Sequence, residues 1–132
     1  RGMKQHPYGY YVDIVTKRYF HAVDNFDLRT VLDCFHPDAS LREMTSNSLH
    51  SGISNVEKMF VGLFDAHSCI WHGNFVHTVD VPGQAICSQF SVEVTPRGAE
   101  KELRYENCNR FYLRDGRFTR VFVYMSGENL LK

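Results

Sequence analysis

"CIWHGNFVHTVDVPGQAICSQFSVEV", residues 69–94, decides the fold. In its second half the apolar residues recur every second position. Ile86, Phe90, Val92 and Val94 share one side, while Cys87, Gln89, Ser91 and Glu93 share the other. That is the period of a strand with one buried face. "VPGQ" turns the chain between the two halves. Downstream, "TPRGAEK" turns it again, "ELRYENCNRFYLR" returns, and "DG" leads into "RFTRVFVYM". The last half of the chain therefore reads as a four-strand antiparallel meander.

Upstream the period is helical. Val12, Val15, Tyr19, Ala22 and Phe26 recur at three- and four-residue steps and predict an amphipathic helix over 8–26. Asp27 is placed to cap a short second helix, "LRTVLDCF", which Pro37 stops. "SNVE" reads as a capping box, Ser54 to Glu57, for a third helix to about Ala66. Its buried face would be Val56, Met59, Phe60, Leu63 and Phe64. Helices come first and antiparallel strands last, so the class is α+β, with three helices packed on one face of one curved, mostly antiparallel sheet.

Between the second and third helices lies "DASLREM", residues 38–44. On a strand, Ala39, Leu41 and Glu43 point one way. If Ala39 and Leu41 face the core, Glu43 goes in with them. A carboxylate in an apolar site has its pKa raised by desolvation and becomes a usable general base. The other reading places Glu43 at a solvated rim, or on the far face through a bulge.

The chain has 132 residues, with a hydrophobic fraction of 43% and an aromatic fraction of 14%. It reads as one domain, residues 1–132, with residues 1–7 a flexible N-terminus. Arg1 and Gly2 stand ahead of Met3 as if added before a native start. The 15 basic and 15 acidic residues cancel, which leaves no charge footprint for nucleic acid or an anionic membrane. No apolar run has the length of a membrane span, and no signal-peptide pattern opens the chain. Cys34, Cys69, Cys87 and Cys108 form no CxxC pair and read as buried, reduced thiols of a cytoplasmic protein. His67, His72 and His77 are evenly spaced by five, which alternates faces on a strand, so no metal site is expected.

The chain also resembles a known family. "YFHAVDNFDLRTVLDCFHPDASL" (19–41) is similar to the opening of the NTF2-like superfamily: an apolar helix, a break with two Asp, then "F.PDA" into a strand. "HSGISNVEKMF" (50–60) resembles its third helix. "RFYLRDGRFTRVFVYM" (110–125) resembles its closing hairpin. The resemblance implies a cone, a bent sheet wrapped by three helices with a pocket at the open end. Members include ketosteroid isomerase, scytalone dehydratase, the SnoaL-like polyketide cyclases and non-enzymatic binding modules, so fold alone does not give function.

On the ketosteroid isomerase pattern, Arg18-Tyr19 falls on an "RY" pair whose phenol is a donor, and Glu43 falls on the base. Strand parity also turns Asn107 and Asn109 inward with Tyr105, Phe111 and Leu113, where an Asn can donate a hydrogen bond. Structural readings remain beside these: Tyr19 as a core tyrosine bonded to a backbone carbonyl, and the two Asn as partners of turn or edge groups. Scytalone dehydratase and SnoaL-like proteins often carry a His early in the third strand, which points to His72. Parity counted from Phe75 and Val79 instead turns Trp71 inward and His72 outward. Asp24, opposite Tyr19's stripe, reads as a solvated or capping residue. Trp71 and Phe60 would line the pocket.

These readings imply a small apolar organic ligand and cofactor-free isomerisation, dehydration or cyclisation. The second reading is a non-catalytic ligand-binding or dimerisation module. The family also implies a homodimer through the outer face of the sheet.

Overall fold

The computed structural model describes residues 4–132. Residues 1–3 of the expected flexible end, Arg1 and Gly2 among them, lie outside the described residues. Six strands form one sheet in the order β2-β1-β6-β5-β4-β3. β1 is Phe35–Glu43, β2 Ser48–Ser51, β3 His67–Asp80, β4 Ala85–Pro96, β5 Leu103–Arg114 and β6 Arg117–Met125. The last four are the meander. β1 joins it by pairing parallel to β6, with Leu41 opposite Val121 and Glu43 opposite Val123. That parallel pair makes the sheet mixed. Three helices cover one face, as the α+β class requires.

The first helix is α-helical over Tyr8–Asp13, π-helical over Ile14–Phe20 and α-helical again over His21–Asp24. Its buried side is wider than the single stripe the sequence suggests: Ile14 with Val15, Tyr19 with Phe20, and Ala22 with Val23 are all buried. A wider turn presents neighbouring residues to the core together, and such turns recur at functional sites. The second helix, Leu28–Asp33, starts where expected, since Asp27 Oδ1 accepts a hydrogen bond from the Thr30 amide at 3.2 Å.

The third helix, Ile53–Ala66, buries the face predicted for it. Each of its large apolar side chains stabilises the packing by about 1.5–3 kcal/mol. Its cap differs from expectation. Gly52, at φ 82°, is the residue before the helix, and no side chain caps it. Ser54 therefore lies inside the first turn. The positive φ favours Gly at this position, and the chain enters the helix two residues earlier than the capping box implies.

Of the four cysteines expected to be buried, only Cys34 is. Cys69 is exposed on edge strand β3, and Cys87 and Cys108 approach to 3.4 Å on the outer face of the sheet.

Candidate functional site

Between the helices and the concave face of the sheet is an apolar cavity of about 50 Å³. Phe20, Phe60, Phe90, Val92 and Val123 supply much of its wall. Among the described residues, four polar ones line it: Tyr19, His72, Asn107 and Asn109. Few convergent polar groups in an apolar hollow are the usual form of a small-molecule site.

His72 is the group whose position the sequence reading missed. A bulge in β3 explains the miss. From Gly73 to Val76 the strand advances three residues, while its partner advances two, from Ser91 to Gln89. Asn74 takes the extra position at φ 55°. The added residue reverses parity, as bulges do. Phe75 and His72 now share the inner side, while Trp71 turns out and is 41% exposed. Trp71 is thus a surface residue and not part of the pocket wall. The signal was present in "HGN": Gly within a strand pattern marks a bulge, and Asn tolerates φ > 0.

Asp24 holds the His72 ring. Its Oδ1 lies 2.6 Å from His72 Nδ1, and its Oδ2 accepts the His72 amide at 3.0 Å. Asp24 sits four residues after Phe20, on the same helical face, and Phe20 packs on the His72 ring with centroids 4.3 Å apart. Tracing the stripe through Tyr19 alone hid this second row. A carboxylate at a helix C-terminus opposes the helix dipole, so a proton-bearing partner stabilises it there. With Asp24 ionised, Nδ1 carries the ring proton and donates it. Nε2 is left as a lone-pair acceptor on a ring that lines the cavity.

Tyr19 is held by aromatic rings. Phe20, Phe35, Phe60, Phe111 and Phe118 all lie with centroids 4.8–6.3 Å from it. Burial drives its pKa far upward, and the nearby Cys34 adds to the rise. Tyr19 is consequently a neutral donor throughout the physiological range. Asn109 and Asn107 reach the cavity from β5, facing inward as parity predicts. Asn107 Oδ1 accepts the Ser126 amide at 3.2 Å. Asn109 is 4% exposed, and its Oδ1 is a buried polar atom with no partner among the described residues. An orphaned buried acceptor costs free energy unless a ligand or water supplies the donor.

Glu43 is fully buried, on the side alternation assigns to it. It does not line the cavity. Its Oε2 accepts the Thr45 amide, and its Oε1 accepts both the amide and the hydroxyl of Ser46, all at 2.9 Å. Burial pushes the carboxyl up, but the hydrogen bonds from Thr45 and Ser46 outweigh it and hold the pKa below its ordinary value. The expected upward shift is thereby reversed. Two residues of the turn after β1, Thr45 and Ser46, enclose this carboxylate in place of a ligand. Among the described residues, no three of His, Cys, Asp or Glu converge as a metal set.

A family model described as a SnoaL-like domain matches residues 16–121. No curated protein matches the chain by sequence. Among solved structures, a protein named as a candidate polyketide cyclase from Xanthomonas campestris pv. campestris is 18% identical with a TM-score of 0.75, covering 92% of each chain. AusH from Aspergillus nidulans is 12% identical, TM-score 0.79, covering 93% of this chain and 88% of its own. An LEH-like epoxide hydrolase of M. tuberculosis is 15% identical, TM-score 0.72, covering 89% and 84%. At such identities the likeness is one of fold.

Proposed function

Because the chain belongs to the SnoaL-like domain family, within the NTF2-like fold, we propose that it binds a small apolar carbonyl or hydroxyl compound and carries out cofactor-free proton chemistry on it. The observation that carries this reading is the His72–Asp24 pair on a wall that also bears Tyr19 and the unpartnered Asn109. His72 Nε2 takes a proton from the carbon next to a carbonyl. The electron pair moves onto the carbonyl oxygen, which accepts a hydrogen bond from the Tyr19 phenol, while the unpartnered Asn109 Oδ1 accepts one from a substrate hydroxyl. Returning the proton to another carbon completes an isomerisation. Giving it to a departing β-hydroxyl completes a dehydration. Asp24 stabilises the imidazolium between the two steps. The role of base thus passes from Glu43, which the β1–β2 turn engages, to His72.

Fold neighbours named for polyketide cyclisation and epoxide hydrolysis act within the same architecture, which supports a small organic substrate. We also retain self-association through the outer face of the sheet as part of this proposal.

Deuterium exchange at the α-carbon of methyl butyl ketone tests the chemistry, followed by proton NMR in deuterium oxide. Exchange above buffer background is expected. His72→Gln should slow it by roughly a hundredfold or more. Exchange no faster than buffer would transfer the site to the non-catalytic binding reading.

A further inference from the structure

A wall of two leucines separates the cavity from a second, larger hollow. Leu63 of the third helix and Leu130, which follows β6, line both spaces. The outer hollow holds about 280 Å³; Ala66, Pro96 and Leu103 give it an apolar side, and His67, Glu128, Asn129 and Lys132 give it a polar one. The inner one, at about 50 Å³, is well under the ~150 Å³ of an apolar cavity that admits benzene. With the leucines in place, a six-membered ring does not fit beside His72 and Tyr19, whereas a head of a few heavy atoms does.

The partition is built to part without unfolding. Leu130 lies on a segment with no helix or strand, pinned on either side of it. Before it, the Ser126 amide donates to Asn107 Oδ1, and Asn129 Nδ2 donates to Ser46 Oγ at 2.9 Å. After it, His50 Nε2 meets the Leu131 carbonyl at 2.9 Å. Leu130 is only half-buried, so its side chain can change rotamer while the backbone stays tied. Opening it joins the two spaces end to end.

We propose that the site takes a linear substrate: a small ketone or hydroxyl head in the inner cavity, with an unbranched apolar tail passing between Leu63 and Leu130 into the outer hollow. This rests on the reading of the inner cavity given above. Leu130 then sets substrate shape. It admits a chain and rejects a ring at the reacting end.

Straight-chain methyl ketones test this, from methyl ethyl through methyl butyl to methyl hexyl ketone, with cyclohexanone as the ring control. Binding is followed by NMR on the isotope-labelled full chain. Affinity should rise roughly three- to fourfold per added methylene. Resonances of His72 and Asn109 should respond to every member, and those of Ala66 and Leu103 only to the longer ones. Cyclohexanone should bind more weakly than methyl butyl ketone, which has the same carbon count. Leu130→Trp should cut methyl hexyl ketone affinity about tenfold, a larger loss than it causes for methyl ethyl ketone. Leu130→Ala, the less disruptive variant, should raise cyclohexanone affinity. Affinity independent of chain length, with His72 still responding, would overturn the linear-substrate proposal and leave the head site standing. Long ketones that perturb Leu103 but never His72 or Asn109, or a series that does not bind at all, would overturn both.

Discussion

Glu43 and Tyr19 are both buried, yet their surroundings give them opposite characters. Glu43 is surrounded by donors from the turn that follows it, so its charged form is favoured. Its folded pKa is depressed, and the stability it contributes is present above the ordinary Glu value of ~4.3 and lost as pH falls through the folded value. Glu43→Gln should therefore destabilise the protein at neutral pH by about 1–3 kcal/mol. The gap from the parent should shrink below about pH 4. Urea denaturation at neutral and acid pH checks both points. A gap that widened in acid would mean a raised pKa and a carboxyl free to act as a base. Tyr19 has rings around it and no hydrogen bond from the described residues. Tyr19→Phe should leave the denaturation midpoint nearly unchanged while slowing ketone α-exchange by about tenfold or more. Alternation was enough to place Glu43 on its side of the strand. Its partners are backbone amides of a turn, which no pattern of side chains announces.

At the scale of elements, the bulge in β3 decides which residues the site contains. The inserted position lies at Asn74, where φ is positive. Deleting Asn74 should restore a regular ladder and carry His72 to the outer face. The His72 imidazole NMR signal would then lose its coupling to Asp24, as Asp24→Asn in the parent would show by comparison. Retention of that coupling would place the irregularity elsewhere. Asn74→Val keeps the length but puts a β-branched residue at φ > 0, and should cost about 1–2 kcal/mol. The start of the third helix offers a contrasting case. Ser54 makes no cap, so Ser54→Ala should move stability by no more than about 0.5 kcal/mol. A loss near 1 kcal/mol would restore the capping box.

At the scale of the molecule, the described residues leave the sheet with one face under helices and one face bare. The bare face is organised on β5 and β6. Arg120 lies over the Tyr112 ring at 4.2 Å, with Arg110 over the same ring at 5.0 Å. Phe122 meets Tyr112 edge-on, with centroids 6.0 Å apart. Arg and aromatic side chains are enriched in interfaces. Self-association through this face is the expected outcome, and sedimentation equilibrium at micromolar concentration checks it. A monomer throughout would remove the dimer from the proposal. Tyr112→Ala should weaken the association if this face carries it.

The order of helices and strands, the helical faces and the parity of β4 and β5 were legible in the chain, because each follows from a local period of 3.6 or 2. So were the inward placement of Tyr19, Asn107 and Asn109, and the burial of Glu43. Three features were settled only by the folded molecule. The β3 bulge brought His72 in and turned Trp71 out. Packing of the first helix against β3 set Asp24 beside His72, at a separation of 48 residues. The β1–β2 turn took the Glu43 carboxylate away from the cavity. Periodicity reports which way a side chain leaves its own backbone. It carries no information on which group, distant in sequence, arrives to meet that side chain, and the chemistry of a titratable residue depends on that partner.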